Sequence, residues 1–219
     1  MRCILFDLDG TLLDTLEDLA FALNTVLTEE GVAPLPLAAI RPVIAYGAKA
    51  LLRLGFGEDQ DEAVLKQRVD RLLWVYQRHL ADRTRLFEGM DEVLETIEAQ
   101  GRLWGVVTNK HRFLTLPLLE RLGLKSRAAC IVCGDDASLS KPHPEPLWLA
   151  CGLAQVDPGE CLYVGDAESD IQAGRRAGMR TLAVRYGYLA PGACPERWGA
   201  DAVVDSPKQL ARLLQAGFP

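Results

Sequence analysis

Short apolar runs, most of them separated by a helical stretch, are what most constrain the fold of this chain. They lie at residues 2–6, 103–107, 129–133, 161–164 and 181–184, with a weaker run at 202–204. Runs this short and continuously apolar read as strands covered on both faces. Between them, residues 90–99 place Val93, Leu94 and Ile97 at helical spacing, and residues 113–122 form a helical pattern closed by Gly123. Residues 145–151 and 168–177 read as further helices, the second stopped by Gly178, since a glycine just past the last turn takes the left-handed conformation at least cost. Strands alternating with helices predict an α/β fold with a doubly wound parallel sheet.

Residues 15–82 break this rhythm. No strand pattern occurs there; Leu16, Leu19, Ala20, Leu23 and Leu27 share one helical face, and 48–54 and 62–80 read as helices. Pro34, Pro36 and Pro42 mark the loops between them. The expected organisation is therefore a core of residues 1–14 and 83–219, carrying a small helical domain inserted at 15–82. An apolar fraction of 49% supplies both with buried side chains. A net charge of −6 opposes any general affinity for nucleic acid or anionic membrane. No segment approaches the roughly 20 apolar residues that span a bilayer. The apolar stretch before Asp7 is too short for a signal peptide. A cytoplasmic protein is expected, as monomer or homodimer. Of six cysteines, four lie in or beside the strand runs, so reduced core thiols are expected. Cys130 and Cys133 form a C-x-x-C with no second pair at zinc spacing.

Ligands of parallel α/β sheets bind beyond the C-terminal ends of the strands, so the residues found there matter most. The first strand runs into Asp7-Leu8-Asp9-Gly10-Thr11, the second into Thr108-Asn109-Lys110, and the fourth into Gly165-Asp166, with Asp170 one helical turn further. Lys141 comes after the third, in Ser140-Lys141-Pro142. Each piece alone is an ordinary turn, helix cap or surface charge. Together they suit phosphoryl transfer, which needs an in-line nucleophile, neutralisation of spreading charge and a proton donor for the leaving oxygen. Asp7 is the candidate nucleophile and a metal ligand. Asp9 offers its carbonyl to the metal and its side chain as acid and then base. Asp166 is a second carboxylate for Mg2+, which prefers hard oxygen donors, and Asp170 is placed to hold a metal-bound water. Thr108 and Lys141, with Asn109 and Gly10 beside them, are candidates for the phosphoryl oxygens.

These motifs, in this order, resemble the haloacid dehalogenase superfamily. The run from Phe6 to Leu12 matches its first motif, Thr108 its second, Lys141 its third, and Asp166 with Asp170 its fourth. The resemblance implies a Rossmann-like core, Mg2+ and an aspartyl-phosphate intermediate. An acid at Asp9 resembles the phosphatases and phosphomutases of the superfamily rather than the dehalogenases. The insert is similar to the cap of the phosphoglycolate phosphatase type. Residues 86–90, 104–110, 185–188 and 198–201 resemble a branch holding phosphoglycolate phosphatases and N-acetylmuramic acid 6-phosphate phosphatases. His143 and His111 stand where that pattern often has Asp and Pro, and both read as surface or core residues. The resemblance thus implies a phosphomonoesterase acting on a small phosphate ester, phosphoglycolate first and N-acetylmuramic acid 6-phosphate second. A phosphomutase of the β-phosphoglucomutase kind is a further alternative. A non-catalytic binding protein on the same fold would be expected to have lost one of Asp7, Asp9, Lys141 or Asp166. Substrate choice is expected in residues 41–49, where Arg41, Tyr46, Gly47 and Lys49 combine two cations, an aromatic ring and a flexible glycine. A cation there would suit the carboxylate of either substrate, so cavity size should separate them.

Overall fold

A computed structural model describes residues 1–216; the expected core segment 83–219 therefore has its last three residues outside the described ones. Six parallel strands form the main sheet: β1 (Cys3–Phe6), β4 (Leu103–Val107), β5 (Cys130–Val132), β6 (Cys161–Gly165), β7 (Arg180–Val184) and β8 (Ala202–Val204). Their spatial order is β5-β4-β1-β6-β7-β8. The chain thus winds outward from β1 on one side, returns, and winds outward on the other. Strand β1 sits at the reversal, where the crevice of a doubly wound sheet opens. Phe6 pairs with Val106 on one side and Val164 on the other, so β1, β4 and β6 end level.

Alternation along the strands divides the core into two layers. Ile4, Phe6, Trp104, Val106, Leu162 and Val164 face one side, against α5 (Met90–Ala99), α6 (Arg112–Arg121) and α9 (Pro207–Ala216). Cys3, Leu5, Val107, Val132 and Tyr163 face the other, against α7 (Glu145–Ala154) and α8 (Glu168–Ala177). Cys130, Cys151 and Cys161 join this second layer as buried free thiols. Helix α9 was not anticipated from sequence; Leu210 and Leu214 bury it in the first layer. No helix among the described residues is long and apolar enough to cross a membrane.

The helical insert is built from α1 (Leu16–Glu29), α2 (Leu37–Ile40), α3 (Gly47–Phe56) and α4 (Glu62–Arg78). It joins the sheet through a short antiparallel ribbon that the sequence did not reveal: β2 (Leu13–Asp14) pairs with β3 (Arg85–Leu86). Two residues per strand are too few to show any period. Buried side chains tie both crossings. On the way out, the Tyr188 hydroxyl accepts from the Thr15 amide at 2.6 Å and donates to Asp14 Oδ1 at 2.8 Å. On the way back, buried Asp18 of α1 accepts from the amides of Arg83 (3.0 Å) and Thr84 (2.9 Å) and from the Thr84 hydroxyl (2.7 Å). Replacing Asp18 by Ala strands these donors, which costs about 3 kcal/mol by the scale of charged hydrogen bonds and buried unpaired donors. For a chain of this size that corresponds to a Tm lower by roughly 6–12 °C. A thermal melt of Asp18→Ala within a degree or two of the parent would show that the return crossing bears no load.

Candidate active site

Lys141 lies at the centre of the crevice. Its ammonium donates to Asp7 Oδ1, Asp170 Oδ1 and the Tyr163 hydroxyl, each at 2.7 Å, and to the Val107 carbonyl at 3.0 Å. The side chain is 3% exposed. Burial works against its charge, but the attraction of Asp170 and Asp7 prevails and holds its pKa above the ordinary lysine value. The loop bearing Lys141 is fixed by Asn109. That side-chain amide donates to the Lys141 carbonyl at 3.2 Å and accepts from the Lys141 amide at 3.1 Å. Asn109, expected among the phosphate contacts, fixes this loop with its side chain and also lines the cavity described below.

Asp166, just after β6, accepts from the Thr11 hydroxyl (2.8 Å) and the Tyr188 amide (2.7 Å). Gly10 packs beside it: at φ +89°, a Cβ there would stand 2.3 Å from Asp166 Oδ2. A Cβ on Gly187 would meet the Gly10 carbonyl at 2.4 Å. Gly10 accordingly makes the turn and the close approach, and it does not line the cavity described below.

Carboxylate oxygens of Asp7, Asp166 and Asp170 lie within 4.8 Å of one another. Burial pushes the Asp7 carboxyl up to about 6, with Lys141 opposing and Asp170 adding to the rise. Burial pushes Asp166 higher, to about 8, and the charges of Asp7 and Asp170 act in the same direction. One ammonium, bonded to two of three neighbouring carboxylates, leaves a negative excess at the floor. That donor set, all hard oxygen, fits Mg2+. Asp170 also accepts from the Ala167 amide at 3.0 Å, so it braces the Asp166 loop as well as Lys141.

The Asp9 carboxylate is held by a residue that no sequence signal singled out. Lys110 Nζ donates to Asp9 Oδ1 (2.9 Å) and Oδ2 (3.0 Å), and to the hydroxyl of Tyr76 on α4 (2.9 Å). Within the Thr-Asn-Lys turn, nothing marked Lys110 apart from an ordinary surface lysine.

A cavity of about 410 Å3 lies between this floor and the insert. Asp7, Asp9, Thr108, Lys141 and Asp166 form its base, and Leu19, Ile44, Leu51, Leu72 and Leu73 form an apolar roof. Tyr46, Gly47 and Lys49 also line it. Lys49 is exposed and makes no hydrogen bond or ion pair with the described residues. Arg41, expected with them, stands elsewhere. It donates to the carbonyls of Tyr186 (2.7 Å) and Gly187 (3.1 Å) and lies over the Tyr188 ring. Its place is in the joint between insert and core. His111 lines the cavity, whereas His143 lies outside it, near Glu145 and Trp148.

A doubly wound sheet with carboxylates and an ammonium gathered at its reversal point defines an α/β enzyme. The chain belongs to the haloacid dehalogenase-like hydrolase family, whose model matches residues 4–184. It is 44% identical to an N-acetylmuramic acid 6-phosphate phosphatase of Pseudomonas putida, over 100% of this chain and 98% of that one. It is 40% identical to a phosphoglycolate phosphatase of Xylella fastidiosa, over 96% of this chain and 92% of that one. Among solved structures, it resembles a predicted phosphoglycolate phosphatase from Haemophilus somnus with a TM-score of 0.87, at 28% identity and 98% coverage of both chains.

The raised acids give a stability prediction for the metal-free protein. Above about pH 4 the unfolded chain has released the protons of Asp7 and Asp166, while the folded chain retains that of Asp7 to about pH 6 and that of Asp166 to about pH 8. Their contribution to stability is present at low pH and is lost as pH rises through about 6 and then 8. Mg2+ held by these carboxylates would need both of them ionised. Scanning calorimetry in chelator and in millimolar Mg2+ should show a Tm gain from Mg2+ several degrees larger at pH 8 than at pH 5. A gain independent of pH would remove these carboxylates as the metal site.

Proposed function

We propose that this chain is a Mg2+-dependent phosphomonoesterase acting on a sugar-acid phosphate of the N-acetylmuramic acid 6-phosphate type, with residues 15–82 as its cap. The observation that carries the substrate reading is the cavity of about 410 Å3, polar at its floor and apolar at its roof. That volume lies in the range of about 300–1,000 Å3 typical of sites for ligands well above two carbons. Phosphoglycolate, ranked first on sequence, would leave most of it to water against leucine side chains. The muramyl group has a carboxylate for Lys49 and methyl groups for the roof. The 44% identity to a phosphatase of that sugar phosphate points the same way.

The residues present account for each step. Asp7 is aimed by Lys141, and its oxygen attacks phosphorus as the bond to the ester oxygen breaks. Asp9 delivers a proton to that oxygen as it leaves. Water then attacks the acyl phosphate, the bond from Asp7 to phosphorus breaks, and Asp9 takes the water's proton. The Thr108 hydroxyl oxygen accepts from the Lys110 amide at 3.2 Å, which leaves its own hydrogen to donate to a phosphoryl oxygen. Asp7, Asp166 and the Asp9 carbonyl would hold Mg2+, which when bound neutralises charge on the transferring group. The apolar roof keeps bulk water away, so that only the water that Asp9 deprotonates reaches the acyl phosphate.

Phosphate release across a panel of esters tests the reading. N-acetylmuramic acid 6-phosphate is expected to exceed phosphoglycolate by at least about tenfold in kcat/KM, the scale of one added pocket contact. The reverse order would overturn the substrate assignment. Asp7→Asn is expected to lose nearly all turnover with the fold retained, and activity at a tenth of wild type would reject Asp7 as nucleophile. Lys49→Ala should raise KM for the sugar acid by about tenfold, the value of a charged hydrogen bond, with 4-nitrophenyl phosphate little changed. Arg41→Ala, placed in the joint, should affect both substrates alike.

A further inference from the structure

The environment of Asp9 carries an inference beyond the proposed chemistry. Lys110 is nearly buried, with 7% of its side chain exposed, and Asp9 is 19% exposed. An ammonium has three protons, and those of Lys110 are matched by three acceptors: both Asp9 oxygens at 2.9 and 3.0 Å and the Tyr76 hydroxyl at 2.9 Å. Nζ also lies 4.5 Å from the centre of the Tyr76 ring. The Lys110 backbone is equally constrained. Its amide donates to Thr108 Oγ1 at 3.2 Å, and its carbonyl accepts from the Gly134 amide at 2.9 Å. A lysine anchored at both ends and gripping both oxygens of one carboxylate fixes the rotation of that carboxylate. Tyr76 belongs to the insert, whereas Asp9 and Lys110 belong to the sheet edge, so the third contact makes this grip depend on where the insert sits.

We propose that Lys110 is the positioning residue for Asp9 and that Tyr76 couples it to the insert. Together they aim the carboxyl at the leaving oxygen only when α4 lies over the site. This rests on the reading of Asp9 as the proton donor. Although Lys110 also lines the cavity, its role in this proposal is exerted through Asp9 and not on phosphorus or the leaving group. Its effect appears only where proton delivery matters: the proton passes from Asp9 to the ester oxygen as that oxygen takes the electron pair of the breaking bond. Two simpler roles compete with this one. Lys110 could be a buried cation satisfied for stability alone, or a ligand of the substrate phosphate. Either would act equally on all phosphate esters, because neither depends on the leaving group.

The test uses leaving groups of different basicity and does not require the natural substrate. In Mg2+, kcat/KM is measured for 4-nitrophenyl phosphate, whose leaving group needs little protonation, and for phenyl phosphate, which needs more. For Lys110→Met the phenyl ester is expected to fall by about a hundredfold, the lower range of general acid catalysis, and the nitrophenyl ester by about threefold. Tyr76→Phe removes one hydroxyl and should shift the ratio in the same direction by a smaller factor. Equal losses on both esters in Lys110→Met would overturn the proposal. If circular dichroism shows Lys110→Met unfolded, Tyr76→Phe decides, and an unchanged ratio there rejects the coupling. A wild-type protein that cleaves aryl phosphates but not the muramyl ester would sink the substrate reading and leave this comparison intact. A wild type that cleaves no phosphate ester at all would sink the phosphatase reading itself.

Discussion

An ammonium removed from water costs several kcal/mol unless charge and hydrogen bonds replace its hydration, and the active-site floor is arranged around meeting that cost for Lys141. Its partners come from four parts of the chain: Asp7 after β1, Val107 on β4, Tyr163 on β6 and Asp170 on α8. No two of these elements can shift relative to each other without leaving a buried charge short of a partner. The same contacts aim Asp7 and hold it close to Asp170, two carboxylates that would otherwise repel. Asn109 extends the constraint to the backbone of the Lys141 loop, so the cation is held from its head and from its main chain.

The negative charge left over drives the rest of the site. Asp7, Asp166 and Asp170 outnumber the Lys141 ammonium among them, and burial first, then repulsion from the neighbouring carboxylates, raises the pKa values of Asp7 and Asp166. Asp166 is surrounded by backbone, with Gly10 and Gly187 packed so closely that neither position has room for a Cβ. The loop at 186–188 carries this packing outward. Tyr188 reaches Asp166 through its amide and the exit crossing through its hydroxyl, and Arg41 of the insert grips the Tyr186 and Gly187 carbonyls. The apolar roof of the cavity is thus joined to its polar floor at both crossings, at Arg41 and at Tyr76. Position of the insert and geometry of the chemistry are mechanically linked.

Which features are legible in the sequence depends on where each signal resides. The places of Asp7, Thr108 and Asp166 at the crevice were legible because a strand run is a local pattern, and the residues just past the C-terminal end of a parallel strand face the crevice. The helical insert was legible by the loss of alternation. The ribbon β2/β3 was not, since two residues carry no period. Asp18 reads in sequence as an ordinary acidic residue in the first turn of α1, which helix electrostatics favours on its own account. Only the fold brings it to the amides of Arg83 and Thr84, 65 and 66 residues away. Arg41 and Lys49 were indistinguishable as two cations in one segment. Folding turned one into the joint and left the other at the cavity.

By itself, then, the sequence determined the α/β class, the place of the insert and the residue types gathered at the strand ends, because these depend on local period and on the direction of parallel strands. Tertiary structure alone decided how those residues divide the work. Whether Lys110 grips Asp9, whether Asn109 meets a ligand or a loop, and how large a molecule fits beneath the leucines of the roof depend on side chains that meet across more than 30 residues. Such meetings are set by packing and charge balance, which no local pattern encodes.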